Sequence, residues 1–341
     1  MLNQNSPARL RSDPKPPQPP SYGPATIGTV PGFALHGIVP PLVTPFCDDE
    51  RIDYGAWQRI VDSLISAGVD GIFVCGWTGE FHTLDAEERT VALRFCRQAA
   101  ASRVTVYGNV GCVTTRDTVN LALRAQSVGI DVLAVVTPYY TRTSQEELAY
   151  HYCEVCRSVR LPVLAYNDPH HGGSELLPET AGRIAAACGN FVGIKDAGGN
   201  FKRMAAYRAC APGREMAVFV GPESLLLPGL DCGCAGGAAT GINIAPRLFV
   251  DLYRAFRQGQ REAARRLQAL AAGLGRALGL HTFPAAAKEA MRMIGLPAGP
   301  CRGPVGPMPL EARAELARVL DALRVEGYLP AAVQRRAAGR A

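Results

Sequence analysis

Lys195 is the residue of this chain best placed to act as a nucleophile. Of 36 basic residues only four are lysines and the other 32 are arginines, so each lysine merits a question. Lys195 ends the apolar run 191–194, which is typical of a buried parallel strand. Poor solvation at such a position disfavours the ammonium form and lowers the pKa of the amine. The sequence therefore predicts a lysine that attacks a carbonyl carbon and forms a Schiff base.

A Schiff-base enzyme acting on a 2-oxo acid also needs a proton shuttle and a group that holds the carboxylate. Tyr166 ends another apolar run, and a phenol at a neighbouring strand end can reach both the amine and the substrate oxygens. Thr78 and Gly79 can hold a carboxylate through a hydroxyl and exposed backbone N–H groups. The iminium then acts as an electron sink that stabilises a neighbouring carbanion as an enamine.

Strand-like and helix-like patterns alternate along the chain from residue 36 onward. Eight strand–helix units in series predict a (β/α)₈ TIM barrel over residues 35–258, an α/β fold with chemistry at the carboxyl ends of its strands. The predicted strands are 37–43, 71–75, 104–107, 132–136, 163–166, 192–195, 217–220 and 235–240. The predicted helices between them are 54–67, 85–101, 115–128, 145–159, 178–187, 201–210, 224–230 and 246–258.

Three segments are predicted to lie outside the barrel. Residues 1–34 are proline-rich and lack the apolar core of a signal peptide, so they are predicted to be a disordered extension. Helical patterns within 259–329 predict a C-terminal helical subdomain, and 330–341 is predicted to be a flexible tail.

Composition argues against several classes of protein. The net charge of +6 comes from scattered arginines without a basic stripe among aromatics, which disfavours nucleic-acid binding. No run approaches the ~18 apolar residues that a membrane span needs. Most of the 11 cysteines lie in apolar patterns, which indicates reduced thiols and a cytoplasmic location. The pairs Cys153/Cys156 and Cys232/Cys234 favour packing over metal binding, and we expect neither a metal nor an organic cofactor.

Four short segments at these strand ends carry a family resemblance. They are Gly76-Trp77-Thr78-Gly79-Glu80, Thr137-Pro138-Tyr139-Tyr140, Tyr166-Asn167-Asp168-Pro169 and Gly193-Ile194-Lys195-Asp196. In order and spacing, from residue 36 to about 309, the chain resembles the dihydrodipicolinate synthase and N-acetylneuraminate lyase family. That family comprises class I, Schiff-base aldolases and lyases that handle pyruvate.

The resemblance implies a role for each matching residue. Lys195 would be the Schiff-base lysine, Tyr166 the proton-relay tyrosine and Thr78 the carboxylate holder. Tyr140 matches a tyrosine that reaches into the active site of a neighbouring subunit, which implies a homotetramer built as a dimer of dimers. The implied substrates are pyruvate and an aldehyde or imine partner.

Two departures from the family pattern bear on the reaction. Trp77 stands where the synthases have a hydroxyl that links two relay tyrosines, so the relay must pass through water or another group, or be needed less. Trp77 could equally be a packing residue that narrows the pocket. His171 stands where the synthases place an arginine for the carboxylate of the aldehyde, and histidine lacks that planar fork. This change argues against 4-hydroxy-tetrahydrodipicolinate synthesis and leaves His171 as a substrate contact or a simple loop residue.

Other rim residues favour a longer substrate. Glu223 and Thr240 match positions with which sugar-acid lyases hold substrate hydroxyls, and Gly221 and Ala238 join them as predicted substrate contacts at the ends of strands seven and eight. The favoured function is a lyase or aldolase that cleaves or forms a C–C bond next to pyruvate, with a hydroxylated or sugar acid as substrate. A dehydratase or deaminase of a 2-oxo acid, a 4-hydroxy-tetrahydrodipicolinate synthase and a non-catalytic 2-oxo-acid sensor remain alternatives.

Overall fold

The computed structural model describes residues 35–330. The predictions for 1–34 and for 331–341 lie outside the described residues. Eight parallel strands form a single sheet in the order β1-β8-β7-β6-β5-β4-β3-β2, and a parallel bridge between Pro41 and Phe73 brings its two edges together. The strands are β1 Gly37–Ile38, β2 Gly71–Val74, β3 Thr105–Asn109, β4 Val132–Val136, β5 Val163–Asn167, β6 Phe191–Asp196, β7 Ala217–Val220 and β8 Gly236–Gly237.

Helices follow the strands in sequence and surround the sheet. They are α1 Tyr54–Ser66, α2 Ala86–Ala100, α3 Thr115–Ser127, α4 Gln145–Ser158, α5 Pro169–Gly172, α6 Pro178–Ala187, α7 Phe201–Ala209, α8 Leu226–Asp231, α9 Pro246–Arg257, α10 Arg261–Leu278, α11 Ala285–Met293 and α12 Leu310–Val325. Local signals explain several starts: Asp85 and Ser144 cap α2 and α4 in capping boxes with Glu88 and Glu147. The TIM barrel predicted from the sequence is confirmed.

The core lies inside the barrel and between the sheet and the helices. Strand residues are buried on both faces, which is why the strands read as continuous apolar runs. Two aromatic pairs fill the barrel interior, Phe73 against Tyr166 and Tyr107 against Phe219, each with ring centroids 5.7 Å apart and edge-on. Tyr166 is therefore fixed by packing below the rim.

The first and last strands are shorter than predicted. The prediction for 37–43 is wrong beyond Ile38, because Pro40 and Pro41 have no N–H to donate to a strand ladder. The segment still closes the barrel, since Phe73 donates its N–H to the Pro40 carbonyl at 2.9 Å. The strand predicted at 235–240 spans only Gly236–Gly237, because the chain turns into a 3₁₀ helix at Thr240–Asn243.

Two predictions after the strands also need correction. The helix predicted at 224–230 begins as a 3₁₀ turn over Glu223–Leu225, and α8 proper starts at Leu226. The segment after β5 was predicted to be a loop, yet it forms the short helix α5 with Pro169 at its first position. Proline suits that position because its ring presets φ and its missing N–H has no partner to lose.

Candidate active site

Lys195 and Tyr166 lie side by side at the carboxyl ends of neighbouring strands. The register of β5 and β6 pairs the two residues directly. The Lys195 Nζ lies 3.8 Å from the centroid of the Tyr166 ring and 5.6 Å from that of Phe73. Only 5% of Lys195 is exposed. The amine thus rests on aromatic faces at the rim that the sequence predicts for chemistry.

The environment of Lys195 favours the free amine. Burial lowers its pKa to about 8, while the negative charges of Asp168, Asp196 and Glu223 act in the opposite direction. Burial outweighs the three carboxylates together. A lysine with this pKa holds an appreciable fraction of nucleophilic amine near neutral pH.

A chain of hydrogen bonds runs from Tyr166 toward the surface. The Tyr166 hydroxyl donates to Asp168 Oδ2 at 3.3 Å, and His171 Nδ1 lies 2.9 Å from Asp168 Oδ1. Asp168 is 4% exposed, whereas the His171 side chain is 43% exposed. Burial raises the pKa of Asp168, but the hydrogen bond from His171 and the charge of Lys195 outweigh it, so the pKa is lowered overall. Burial and the Asp168 charge raise the pKa of Tyr166.

Trp77 stacks between two histidines at the mouth of the site. Its ring lies 4.2 Å from that of His171 and 4.6 Å from that of His82, nearly parallel to both. Burial, and secondarily His171, lowers the pKa of His82. Trp77 thus supports the ring of His171.

Thr78 and Gly79 form the floor of the loop after β2. Thr78 Oγ1 lies 2.9 Å from Thr240 Oγ1, which joins the ends of β2 and β8. A side chain at Gly79 would place its Cβ 2.8 Å from the Leu42 carbonyl oxygen, so only glycine lets the loop lie this close. One hydroxyl donates to the other, which leaves one O–H of the pair free to donate to a carboxylate without a charged partner.

The remaining predicted contacts line the ends of β6 to β8. Glu223 Oε1 accepts the Gly241 N–H at 2.8 Å, and burial raises the pKa of this carboxyl. Gly221 donates its N–H to the Asp196 carbonyl, and Ala238 donates to that of Val220, both at 2.8 Å. Glu223 is near enough to Lys195 to act on its pKa, so its carboxyl belongs to the same site.

Tyr140 is not brought to this site within its own chain. It is 96% exposed and has a φ of 73°, a left-handed conformation unusual for a bulky residue. Its neighbour Tyr139 packs edge-on against Phe81, with ring centroids 5.4 Å apart. The loop therefore turns Tyr139 inward and leaves Tyr140 facing away.

Sequence reasoning missed three residues that shape the site. Asp168 stands directly after β5, and that position was itself a signal for a carboxylate at the rim. Glu80 and Lys288 form an ion pair of 2.6 Å with both side chains buried, at 1% and 3% exposure. The scarcity of lysine, with only four in the chain, is a signal that marks Lys288. The ion pair ties the loop after β2 to α11.

Residues 35–330 contain neither a metal-binding cluster nor a helix that could cross a membrane. Within that range no group of three or more His, Cys, Asp or Glu residues is arranged to hold a metal ion. No helix there combines the length and apolarity that crossing a bilayer needs. All 11 cysteines lie in this part of the chain as free thiols.

Comparison with known proteins places this geometry in context. The model of the dihydrodipicolinate synthetase family matches residues 34–323. A 4-hydroxy-tetrahydrodipicolinate synthase of Methanothrix thermoacetophila is 34% identical over 84% of this chain and 96% of its own. An uncharacterized DapA-like lyase of Halobacterium salinarum is 36% identical over 87% of this chain and 96% of its own. The structure of YagE, a prophage protein from E. coli K12 in complex with pyruvate, superposes with a TM-score of 0.82 at 32% identity, covering 85% and 99% of the two chains.

Proposed function

Because the chain belongs to the dihydrodipicolinate synthetase family, whose members are lyases, we propose that Lys195 is the amine that attacks C2 of a 2-oxo acid. The match to the family model confirms the family and the enzyme class predicted from the sequence. It disfavours a purely non-catalytic sensor. In the proposed reaction a C–N bond forms, the carbonyl oxygen leaves as water, and an iminium remains on Lys195. The C4 hydroxyl then loses its proton, the C3–C4 bond breaks to release an aldehyde, and the electron pair of that bond is taken up by the iminium to give an enamine. Protonation of the enamine at C3 and hydrolysis release pyruvate and restore Lys195.

The pairing of Lys195 with Tyr166 is the observation that carries this proposal. A buried amine whose pKa is lowered to about 8 lies 3.8 Å from the centre of a phenol ring, at the rim where TIM barrels place their chemistry. Tyr166 is the proposed proton carrier. The hydroxyl of Thr78, which lies 2.9 Å from Thr240 Oγ1, is the proposed donor to the substrate carboxylate.

Pyruvate is the proposed product or first substrate. YagE, the similar structure described above, was solved with pyruvate. The buried residues around Lys195 leave the amine among aromatic rings and hydroxyls, which suits a small 2-oxo acid.

A hydroxylated 2-oxo acid is the proposed longer substrate. Glu223 and Thr240 lie at the ends of β7 and β8 and can hold hydroxyl groups. His171 is committed to Asp168 and to stacking on Trp77, so it cannot offer the two parallel N–H donors of an arginine. The names of the relatives keep 4-hydroxy-tetrahydrodipicolinate synthesis as the second candidate.

Tyr140 is proposed to complete the site of a neighbouring subunit. Its 96% exposure and left-handed backbone present the phenol away from its own chain. Such a residue gains a function if a second copy covers it, which supports the homotetramer expected from the sequence.

Product analysis tests the proposed reaction. The protein is incubated with a panel of hydroxylated 2-oxo acids, or with pyruvate plus aldehydes, and products are followed by mass spectrometry. A lyase releases pyruvate, a dehydratase or deaminase loses water or ammonia without C–C cleavage, and a synthase consumes pyruvate together with an aldehyde that carries a carboxylate. We expect pyruvate release that disappears in Lys195→Ala and persists in Lys202→Ala, whose lysine lies exposed on α7. Turnover by Lys195→Ala at the wild-type rate would contradict the proposal.

A further inference from the structure

We propose that Asp168, held in place by His171, receives and returns the hydroxyl proton of Tyr166 during the reaction, in place of the hydroxyl that position 77 lacks. This inference rests on the proposed function, because it assumes that Tyr166 carries protons for an adduct on Lys195. It assigns Asp168 as the proton partner of the phenol and His171 as a positioning residue.

The hydrogen bonds of Asp168 point to this role. Asp168 occupies the N-cap position of α5, where aspartate commonly accepts backbone N–H groups, yet its side chain makes no capping hydrogen bond. Its two oxygens instead face Tyr166 Oη, at 3.3 Å, and His171 Nδ1, at 2.9 Å. A carboxylate that serves only to cap a helix would accept hydrogen bonds from backbone N–H groups of the first turn.

The phenol is oriented so that its proton faces Asp168. The Tyr166 hydroxyl donates to Asp168 Oδ2 at 3.3 Å. Burial and the Asp168 charge raise the pKa of Tyr166, so the phenol keeps this proton in the resting site.

Trp77 also supports His171, which lies at the other end of this series of hydrogen bonds. Its ring is stacked 4.2 Å from that of His171 and is backed on its other side by His82 at 4.6 Å. This stack fixes the plane of the His171 ring, so that Nδ1 can donate to Asp168 Oδ1. The partly exposed His171 also connects the buried carboxylate to solvent, with which protons can exchange.

The proposed proton transfer involves two oxygen atoms, Tyr166 Oη and Asp168 Oδ2. When the phenol oxygen accepts a proton from the adduct, one O–H bond forms there while the original phenol proton moves to Asp168 Oδ2. The carboxylate becomes a neutral acid, and Tyr166 remains neutral. The reverse pair of transfers protonates the enamine and restores the carboxylate. A phenolate, which burial and the Asp168 charge disfavour, is never required.

Exchange of the pyruvate methyl protons tests this step without the second substrate. Wild-type protein and Asp168→Asn are incubated with pyruvate in D₂O and followed by NMR, while parallel samples are reduced with borohydride to measure the adduct on Lys195. We expect Asp168→Asn to form the adduct at equilibrium but to exchange protons roughly 100-fold more slowly, since general acid–base groups contribute at least that much. In Asp168→Ala, added formate should restore part of the exchange rate, which a structural role would not allow.

Matched histidine variants test the positioning role. His171→Phe keeps a ring on Trp77 but loses the donor to Asp168, whereas His171→Asn keeps a donor near the position of Nδ1. We expect slower exchange in His171→Phe than in His171→Asn, and wild-type exchange in His170→Phe and His170→Asn. His171 is partly exposed, so these variants should fold even if Asp168→Asn does not.

The outcomes separate this inference from the proposed function. If wild-type protein forms no adduct with pyruvate and exchanges no protons, the proposed function fails and the inference fails with it. If the wild type does both, and Asp168→Asn or His171→Phe exchanges at the wild-type rate, the inference is overturned while the proposed function stands.

Discussion

Two buried lysines show how surroundings divide roles between residues of one type. Lys288 forms a 2.6 Å ion pair with Glu80 and donates to the Pro300 carbonyl at 2.6 Å, which uses the ammonium as a structural cation. Both amines also lie over aromatic rings, Lys288 over Phe46 at 4.3 Å and Lys195 over Tyr166 at 3.8 Å. Burial lowers the pKa of both, but Lys288 is paired directly with a carboxylate, and within the described residues Lys195 forms no such ion pair.

At the scale of a single residue, adduct formation should follow the titration of Lys195. The rate of borohydride-trapped pyruvate adduct is expected to rise with pH to a midpoint near pH 8, because the amine is nucleophilic only above its pKa. The charged groups that act on it are Asp168, Asp196 and Glu223, each of which raises that pKa. Asp168→Asn removes one of them, so its midpoint should shift to lower pH. A midpoint at the ordinary value of 10.5 would contradict the assigned environment.

Some single residues of the site could be predicted from the sequence, whereas the contacts between others could not. Lys195 and Tyr166 were predictable because each ends an apolar run, and strand ends in a barrel share one rim. The contact between Asp168 and His171 was not predictable. It depends on the helical turn of α5, where the sequence pattern indicates a loop. Stacking of Trp77 on His82 and His171 likewise depends on the relative placement of two loops that no local pattern encodes.

Among the elements, α11 anchors the loop after β2. Its Lys288 pairs with Glu80, which directly follows the proposed carboxylate-binding residues Thr78 and Gly79. Arg302 adds a backbone N–H to Glu80 Oε2 at 3.0 Å. Helix α11 and the segment after it therefore contribute to the shape of the loop after β2.

Breaking this tie should destabilise the fold. Lys288→Met leaves Glu80 buried without its cation, and we expect the free energy of unfolding to fall by about 3–5 kcal/mol, measured by denaturant titration. The double variant Glu80→Gln/Lys288→Met removes both charges and should recover much of that loss. A single variant as stable as the wild type would show that the pair does not hold the loop.

Secondary structure elements were predictable wherever periodicity was strong. Helices α1 to α4 lie within one residue of their predicted ends because apolar stripes and capping residues mark both. Among the strands the larger errors fell at β1 and β8, where prolines, glycines and a 3₁₀ turn replace strand ladders with other hydrogen bonds. The residues that follow β1 and β8 stay buried without regular strand geometry. The length of an apolar run therefore overestimates the length of the strand.

For the molecule as a whole, the count of strand–helix units was sufficient to predict the barrel, but a single chain does not hold every proposed catalytic group. Tyr140 is 96% exposed, and its proposed role requires a second subunit. Solvent contact over nearly the whole side chain makes it a poor contributor to the stability of one chain. The role proposed for Tyr140 is therefore one that only an assembly of subunits can provide.

Mixing two inactive variants tests that role. Lys195→Ala and Tyr140→Phe are co-expressed so that their subunits combine at random. If Tyr140 serves its neighbour's site, a mixed pair contains one site with both groups intact, and about a quarter of wild-type activity should return. Tyr139→Phe in place of Tyr140→Phe serves as a matched control. Activity no greater than that of the separate variants would contradict a shared site.

Borohydride reduction in the presence of pyruvate, followed by intact mass measurement and peptide mapping, tests the central claim most directly. We expect one reduced pyruvate per chain, attached to Lys195, and no such addition in Lys195→Ala. Lys202→Ala should be modified like the wild type. An unchanged mass after reduction of the wild-type protein, or an adduct on another lysine, would contradict the assignment of Lys195 as the Schiff-base residue.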